Sequence, residues 1–426
     1  MLRLDTIKAN RVSHKGADRK HILFLCAETF PPPYAFLQKV FNEYLRECGF
    51  CFVWIMPYAE TAEIKEIDWD GNPVIVIPKL RPRGFADVFQ AYWQHLKHLR
   101  KASRLALERY GPFHIVQVRD DPAMAYIAWK LSRKKKIPFV YQLSHLKEEE
   151  VLMYSQMGLY GSRLKNWIMG QVGIAIRNRF LRKADLVFPI SDQMKKTLAG
   201  YGVPLSKMVT LPEGVDTSIN PRNFDAKAQE IRKNLGLEDR EVIVYAGMMN
   251  RFRQLDFLFE VLKRILSRHP KAHLLMVGGG KEPEDLEWLQ QRASALGVEE
   301  NVTFIGWVPR EEVPAYIRAS DLGVSPFAPN KVLINNSPIK PLEYLAMEIP
   351  VVATDIPEQR KILKESGGGV CVPWDVEKFA QGICDLFEEG EEQKKLRGTR
   401  GRQWVKENRD FRVLTQIVQN VYEKLL

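Results

Sequence analysis

The chain has 426 residues, of which 45% are hydrophobic and 27% charged, and its 63 Lys and Arg against 52 Asp and Glu leave a formal net charge of +11. This length exceeds a single core and suits two domains, while the composition excludes a disordered or disulfide-scaffold chain. No apolar run is long enough for a membrane span, and no apolar segment precedes the first N-terminal charges, so neither a transmembrane helix nor a signal peptide is expected.

The cationic excess is confined to about the first 220 residues, and the rest is close to neutral. That asymmetry points to an anionic partner for the first half, such as a membrane surface or an acidic acceptor. No nucleic-acid-binding signature is present. Of the five cysteines, Cys48 and Cys51 form a lone C-x-x-C, which fits reduced thiols better than zinc.

The first 19 residues are expected to be poorly ordered or a small appended element. Beyond them, apolar runs alternate with helical stretches. Strands are expected at 21–25, 52–56, 74–78, 114–118, 139–143, 186–190 and 208–211 in the first half. In the second half they are expected at 242–246, 273–277, 302–305, 322–325, 351–354 and 369–372. The pattern implies an α/β protein with two doubly wound, Rossmann-like parallel sheets. The boundary is set after Asp216, with 217–227 as linker, giving domains 1–216 and 217–402 and a final helix from 403 onward. Val413, Ile417, Val421 and Leu425 form an apolar stripe on that helix.

Several loops carry candidate chemistry. Pro31–Phe36 follows the first strand, with Tyr34 and Ala35 at its tip. Asp120 and Asp121 follow another strand; they suit sugar hydroxyls or a turn before Pro122 equally. His145 lies just past a strand end, where doubly wound folds bind ligands. Arg251 and Arg253 follow the first strand of the second half, and cations beside a helix start need either a nearby anion or a loop location. Gly278 ends a strand and is placed with the donor-side residues, although Glu282, Glu284 and Asp285 argue against phosphate at that helix start. The segment 154–183 carries six basic residues and no acidic one, with Trp167, Ile168 and Val172 interleaved; a core helix with a solvated rim and a membrane-facing helix both fit it.

The most informative stretch is Asn335–Pro357. Ser337 suits a helix N-cap and Pro338 the first helical position, ahead of a buried strand. Such a helix start points free backbone N–H groups at an anion. Glu343, further along, is placed to accept from ribose hydroxyls.

This stretch resembles the donor-binding signature of retaining glycosyltransferases of family 4, which have the GT-B architecture. The likeness runs from about His21 to the C-terminus. Glu343 matches the second Glu of the family's pair, while Asn335 stands where the first belongs, and Glu348 replaces a usual Gly. Met248 stands at the usual Arg position, Arg253 at the usual Lys position, and Tyr34 and Ala35 stand near a usual glycine pair. The resemblance implies transfer of a sugar from a UDP- or GDP-sugar to a glycan, lipid-linked or small-molecule hydroxyl, with no required metal or cofactor. Ser337, Pro338, Ile339, Lys340, Arg251 and Arg253 would hold the diphosphate, Glu343 the ribose, and Trp307 and Val308 the base. His145 and Asn335 would contact the transferred sugar. It also implies that the final helix crosses back to the first domain. The missing signal peptide and the basic first half lead to the expectation of a cytoplasmic protein, peripheral at the inner membrane face. A sugar-nucleotide epimerase and a non-catalytic glycan- or lipid-binding relative remain as alternatives.

Overall fold

The computed structural model describes residues 19–80 and 85–426. The expectation for the first 19 residues therefore lies almost wholly outside the described chain. The first sheet holds β1 (Lys20–Cys26), β2 (Phe50–Tyr58), β3 (Lys65–Trp69), β4 (Asn72–Pro78), β5 (Ile115–Arg119), β6 (Phe139–Leu143) and β7 (Leu186–Pro189). Its order is β3-β4-β2-β1-β5-β6-β7, parallel except for β3 against β4. The second holds β8 (Glu241–Ala246), β9 (Ala272–Val277), β10 (Val302–Gly306), β11 (Leu322–Ser325), β12 (Val351–Thr354) and β13 (Gly369–Val372). Its order, β10-β9-β8-β11-β12-β13, is all parallel and is that of a doubly wound sheet.

Burial explains why these runs become parallel strands. β9 and β12 are buried at every residue, as strands covered on both faces must be. On β1 the side chains alternate: Leu23 and Leu25 join one core cluster, Ile22 and Phe24 the opposite one. Both sheets reverse direction at an inner strand pair, β1 with β5 and β8 with β11. Crevices at such reversals, beyond the strand C-termini, are where ligands bind.

The helix Phe411–Leu425 packs on the first sheet. Phe411, Leu414, Val418 and Tyr422 are its buried face, and the Tyr422 ring lies 5.5 Å from that of Phe50. The stripe read from the sequence is thus at the flank: Val413, Ile417, Val421 and Leu425 are not its fully buried residues. The chain passes between the sheets twice at one place, where Val215 N–H donates to the Arg409 carbonyl at 3.0 Å and Phe411 N–H to Val215 at 3.2 Å.

Three expectations are corrected. Lys65–Trp69 is a strand that its charged sequence hides, since it is an edge paired only with β4. Residues 208–211 form no strand and offer a single bridge from Met208 to Val187. The linker contains a turn at Pro221–Phe224 and the start of the helix Asp225–Asn234.

Candidate functional site

The loops after β8 and β11 and the short helix Lys340–Ala346 meet at the second sheet's reversal point. Lys340 is the first residue of that helix and only 6% exposed. Its ammonium lies 5.1 Å from the ring centre of Tyr245 and 5.5 Å from that of Phe327. Gly247, at φ +139°, makes room for it: a side chain at 247 would sit 2.8 Å from the Lys340 Cε. Burial and the nearby Arg253 push the Lys340 pKa down to about 7, with Glu343 opposing. The Arg253 guanidinium is 5.5 Å from the Phe327 ring centre, and its buried Nε has no hydrogen-bond partner. Among the described residues no carboxylate forms an ion pair with either cation. Two neighbouring cations without a counter-ion are costly in a protein and become favourable when an anion enters.

Glu343, three residues along, is partly buried on the wall of a cavity of about 470 Å³. Arg310, Val215, Phe224, Val313 and Phe411 also line it, so the cavity is mostly apolar with a few charged groups. Burial raises the Glu343 pKa, while Lys340 and Arg310 lower it.

On the first-sheet side, the His145 Nε2 hydrogen-bonds the carboxylate of Glu150, and its Nδ1 lies 3.3 Å from the Asn336 Oδ1 across the cleft. Burial pushes the Glu150 carboxyl up, but the hydrogen bond from His145 and the charges of His145, Arg253 and Lys281 bring it below its ordinary value. Neither Glu150 nor Asn336 stood out in the sequence. The E-E-E run before an apolar stretch resembles any acidic helix start, and Asn336 is distinguished only by what it faces.

Other expected residues are placed differently. The helix begins at Lys340 with Ile339 as its N-cap, so Ser337 does not cap it; the Ser337 hydroxyl accepts from the Glu213 N–H at 3.1 Å. Pro338 is buried ahead of the helix and Pro341 lies inside its first turn, so both remove N–H donors that the anion reading counted on. The positive charge at this end comes chiefly from side chains. Arg251 turns away from Lys340: its Nε is 4.0 Å from Asp285 and its guanidinium 5.7 Å from the Trp288 ring. Asn335 is 2% exposed and committed elsewhere. Its Oδ1 accepts from Thr197 at 2.7 Å, its Nδ2 donates to the Lys331 carbonyl at 2.7 Å, and its own carbonyl accepts from Ser191 at 2.7 Å.

Gly278, at φ +127°, is required by close packing, since a side chain there would collide with the Gly247 carbonyl. Asp285 accepts from the Lys281 and Glu282 N–H groups, so a carboxylate already occupies that helix start. Trp307 is 68% exposed and Val308 packs against the core of the second sheet, while Arg310 and Val313, just beyond them, line the cavity. Asp121 caps the helix Pro122–Lys135 by accepting from Met124 N–H at 2.7 Å, and Asp120 accepts from Ser144 N–H at 2.7 Å. All five cysteines are free thiols. Among the described residues there is no group of three or more His, Cys, Asp or Glu placed to hold a metal, and no helix is long and apolar enough to cross a membrane.

Two family models match: Glycosyl transferases group 1 over residues 240–389 and Glycosyltransferase Family 4 over residues 43–219. The GDP-mannose-dependent alpha-(1-6)-phosphatidylinositol monomannoside mannosyltransferase of Mycolicibacterium smegmatis is 31% identical over 251 residues, 58% of this chain and 64% of that protein. The match thus spans a little under two thirds of that relative. Sucrose-phosphate synthase from Thermosynechococcus elongatus superposes with a TM-score of 0.72 at 16% identity, covering 96% of this chain and 99% of that one. Anabaena HepE in complex with UDP superposes with a TM-score of 0.67 at 17% identity, covering 95% and 100%. With two matched models and two doubly wound sheets flanking one cleft, the chain is a GT-B-fold protein related to the family 4 glycosyltransferases.

Proposed function

We propose that the chain transfers a sugar from a nucleoside diphosphate sugar to an acceptor hydroxyl, with retention of anomeric configuration. The observation that carries this is the pair Lys340 and Arg253, two cations around Phe327 with which no carboxylate among the described residues forms an ion pair. A diphosphate supplies the missing charge. Glu343 then accepts from the ribose hydroxyls, and the cavity beside it takes the nucleoside. His145, oriented by Glu150, contacts the transferred sugar.

The chemistry follows from that placement. As the anomeric C–O bond breaks, negative charge grows on the departing diphosphate, and Lys340 and Arg253 stabilise it. The acceptor hydroxyl enters on the face the diphosphate leaves, and its proton passes to a departing phosphate oxygen. The new bond then has the configuration of the old. Side-chain cations supply the charge here, so no metal is assigned. Asn335 acts indirectly, by tying the turn before Lys340 to Ser191 and Thr197 of the first domain.

A glycan or lipid-linked acceptor is favoured, supported by the phosphatidylinositol monomannoside named for the mycobacterial relative. The UDP in the Anabaena complex supports uracil as the donor's base, and the relative's GDP-mannose supports guanine. Calorimetric titration with UDP, GDP and ADP tests the reading. Binding of one in the micromolar range is expected, and no binding of any would end it. Incubating the donor sugar alone separates transfer from epimerisation, which needs no acceptor.

A further inference from the structure

The helix Arg163–Lys183 turns much of its apolar surface outward. Leu164 is 67% exposed, Trp167 53% and Val172 52%, with Ile168 beside them. Its buried side includes Asn166, Gly170, Arg177 and Asn178. Leu164, Ile168 and Val172 follow one another at four-residue spacing, which aligns them on one ridge. Arg179 and Lys183 continue that ridge toward the C-terminal end, so the outward face is apolar in its first half and cationic in its second. Arg177 is not part of it, because it is buried in ion pairs with Glu148 and Glu149. The other five basic residues of 154–183 remain, with no acidic residue in that stretch.

The same face runs into a groove of about 350 Å³ shared with the helices Phe85–Tyr110 and Pro122–Lys135. Trp93, Tyr126 and Trp129 line it together with Arg100, Arg179 and Lys183, and among the described residues no acidic side chain does. The Lys183 ammonium lies 3.7 Å from the Trp129 ring centre.

We propose that this face rests on an anionic lipid bilayer. Large exposed apolar patches mark interaction surfaces. Tryptophan and tyrosine beside lysine and arginine is the composition that suits the headgroup layer, where rings sit at the boundary and long cationic side chains reach lipid phosphates. The apolar half of the ridge enters the acyl boundary and the cationic half meets the anionic headgroups. The cationic residues along the ridge and in the groove, with no acidic one among the described residues there, favour this occupant over a basic or neutral protein surface. Tyr160, just before the helix, donates to Asp285 of the second sheet's domain at 2.8 Å, so a bilayer under the helix lies at the mouth of the cleft.

Flotation of the full chain with vesicles tests this without reference to sugar transfer. Binding to phosphatidylcholine vesicles containing phosphatidylglycerol is expected, with little binding to phosphatidylcholine alone and at least a tenfold loss in 0.5 M salt. The double variants Leu164→Gln with Ile168→Gln, and Lys165→Glu with Arg179→Glu, are each expected to lower the partition coefficient at least tenfold. Circular dichroism and the melting temperature report that they still fold, as surface changes should allow. Equal binding to neutral and anionic vesicles, or unchanged binding by both variants, overturns the proposal. A dimer in analytical ultracentrifugation that the apolar double variant dissociates also overturns it, by assigning the face to a second copy of the chain.

Discussion

Lys340 and Arg253 share one ring: each places its cationic group 5.5 Å from the centre of Phe327. They arrive from separate loops, Arg253 from the turn after β8 and Lys340 from the helix before β12. Their mutual repulsion is tolerated because each borrows the electron-rich face of an aromatic ring. That device holds two charges ready for an anion: Glu343 and Glu150 act on them only from a distance, and among the described residues no carboxylate is in ion-pair contact with either.

Removing one of them tests the clamp. A hydrogen bond to a charged group contributes about 1.5–3 kcal/mol, and about 1.4 kcal/mol is tenfold in rate. Arg253→Ala is therefore expected to lower kcat/KM ten- to a hundredfold with the fold intact. Arg251→Ala, whose side chain lies by Asp285 and Trp288, is expected to change kcat/KM by less than threefold. Steady-state kinetics on the pair decides; equal losses would show that both arginines reach the diphosphate.

The Lys340 pKa gives a signed pH dependence. In the free protein it lies at about 7, against an ordinary value of 10.5. Between those values the unfolded chain binds more protons, so this group's contribution to stability rises with pH across that window. An incoming diphosphate needs the charged form and raises the pKa. Nucleotide affinity is thus expected to weaken above pH 7, toward about tenfold per pH unit, and to be nearly flat in Lys340→Met. Calorimetry from pH 6 to 9 checks this; a flat wild-type profile would remove Lys340 from the phosphate site.

Glu343 is assigned to ground-state binding, which distinguishes it from the cations. Glu343→Ala is expected to raise the donor KM about tenfold with kcat changed less than threefold, since ribose contacts are the same in substrate and transition state. A 2′,3′-dideoxy nucleotide should bind wild type and variant alike. If the variant discriminates against it as wild type does, the ribose assignment fails.

Asn335 accounts for a departure from the family pattern. Its Nδ2 donates to the Lys331 carbonyl while its Oδ1 accepts from Thr197. A carboxylate has no proton to donate there, and the site is 2% exposed. Asn335→Glu, which restores the family residue, is therefore expected to destabilise the protein by about 1–3 kcal/mol or more. A lowered urea midpoint is the readout; an unchanged one would mean that the turn rearranges to accept the charge.

Twelve expected strands lie where apolar runs are short, β-rich and bounded by turn residues, because a strand buried on both faces is mostly apolar, with a polar residue such as Gln117 or Gln142 admitted only where it finds a partner. Lys65–Trp69 escaped for the converse reason. As an edge strand it satisfies half its backbone in solvent and carries K-E-I-D-W without cost. The final helix was legible by period, but its phase was not. Its apolar arc is wide, and only contact with Phe36, Phe50 and Phe188 sets Phe411 and Tyr422 at the centre.

The sequence by itself determined two doubly wound halves, a Glu343 placed after a loop, and a cation-bearing turn after the first strand of the second half. Those properties are local: they follow from periodicity and from which residue types stand beside a strand end. Tertiary structure alone decided that Arg253 faces Lys340 while Arg251 faces Asp285, that Asn336 rather than Asn335 meets His145, and that Ser337 serves the interdomain contact instead of a helix cap. Each of those outcomes depends on what another loop, far along the chain, brings within a few ångströms, and no spacing within one segment encodes it.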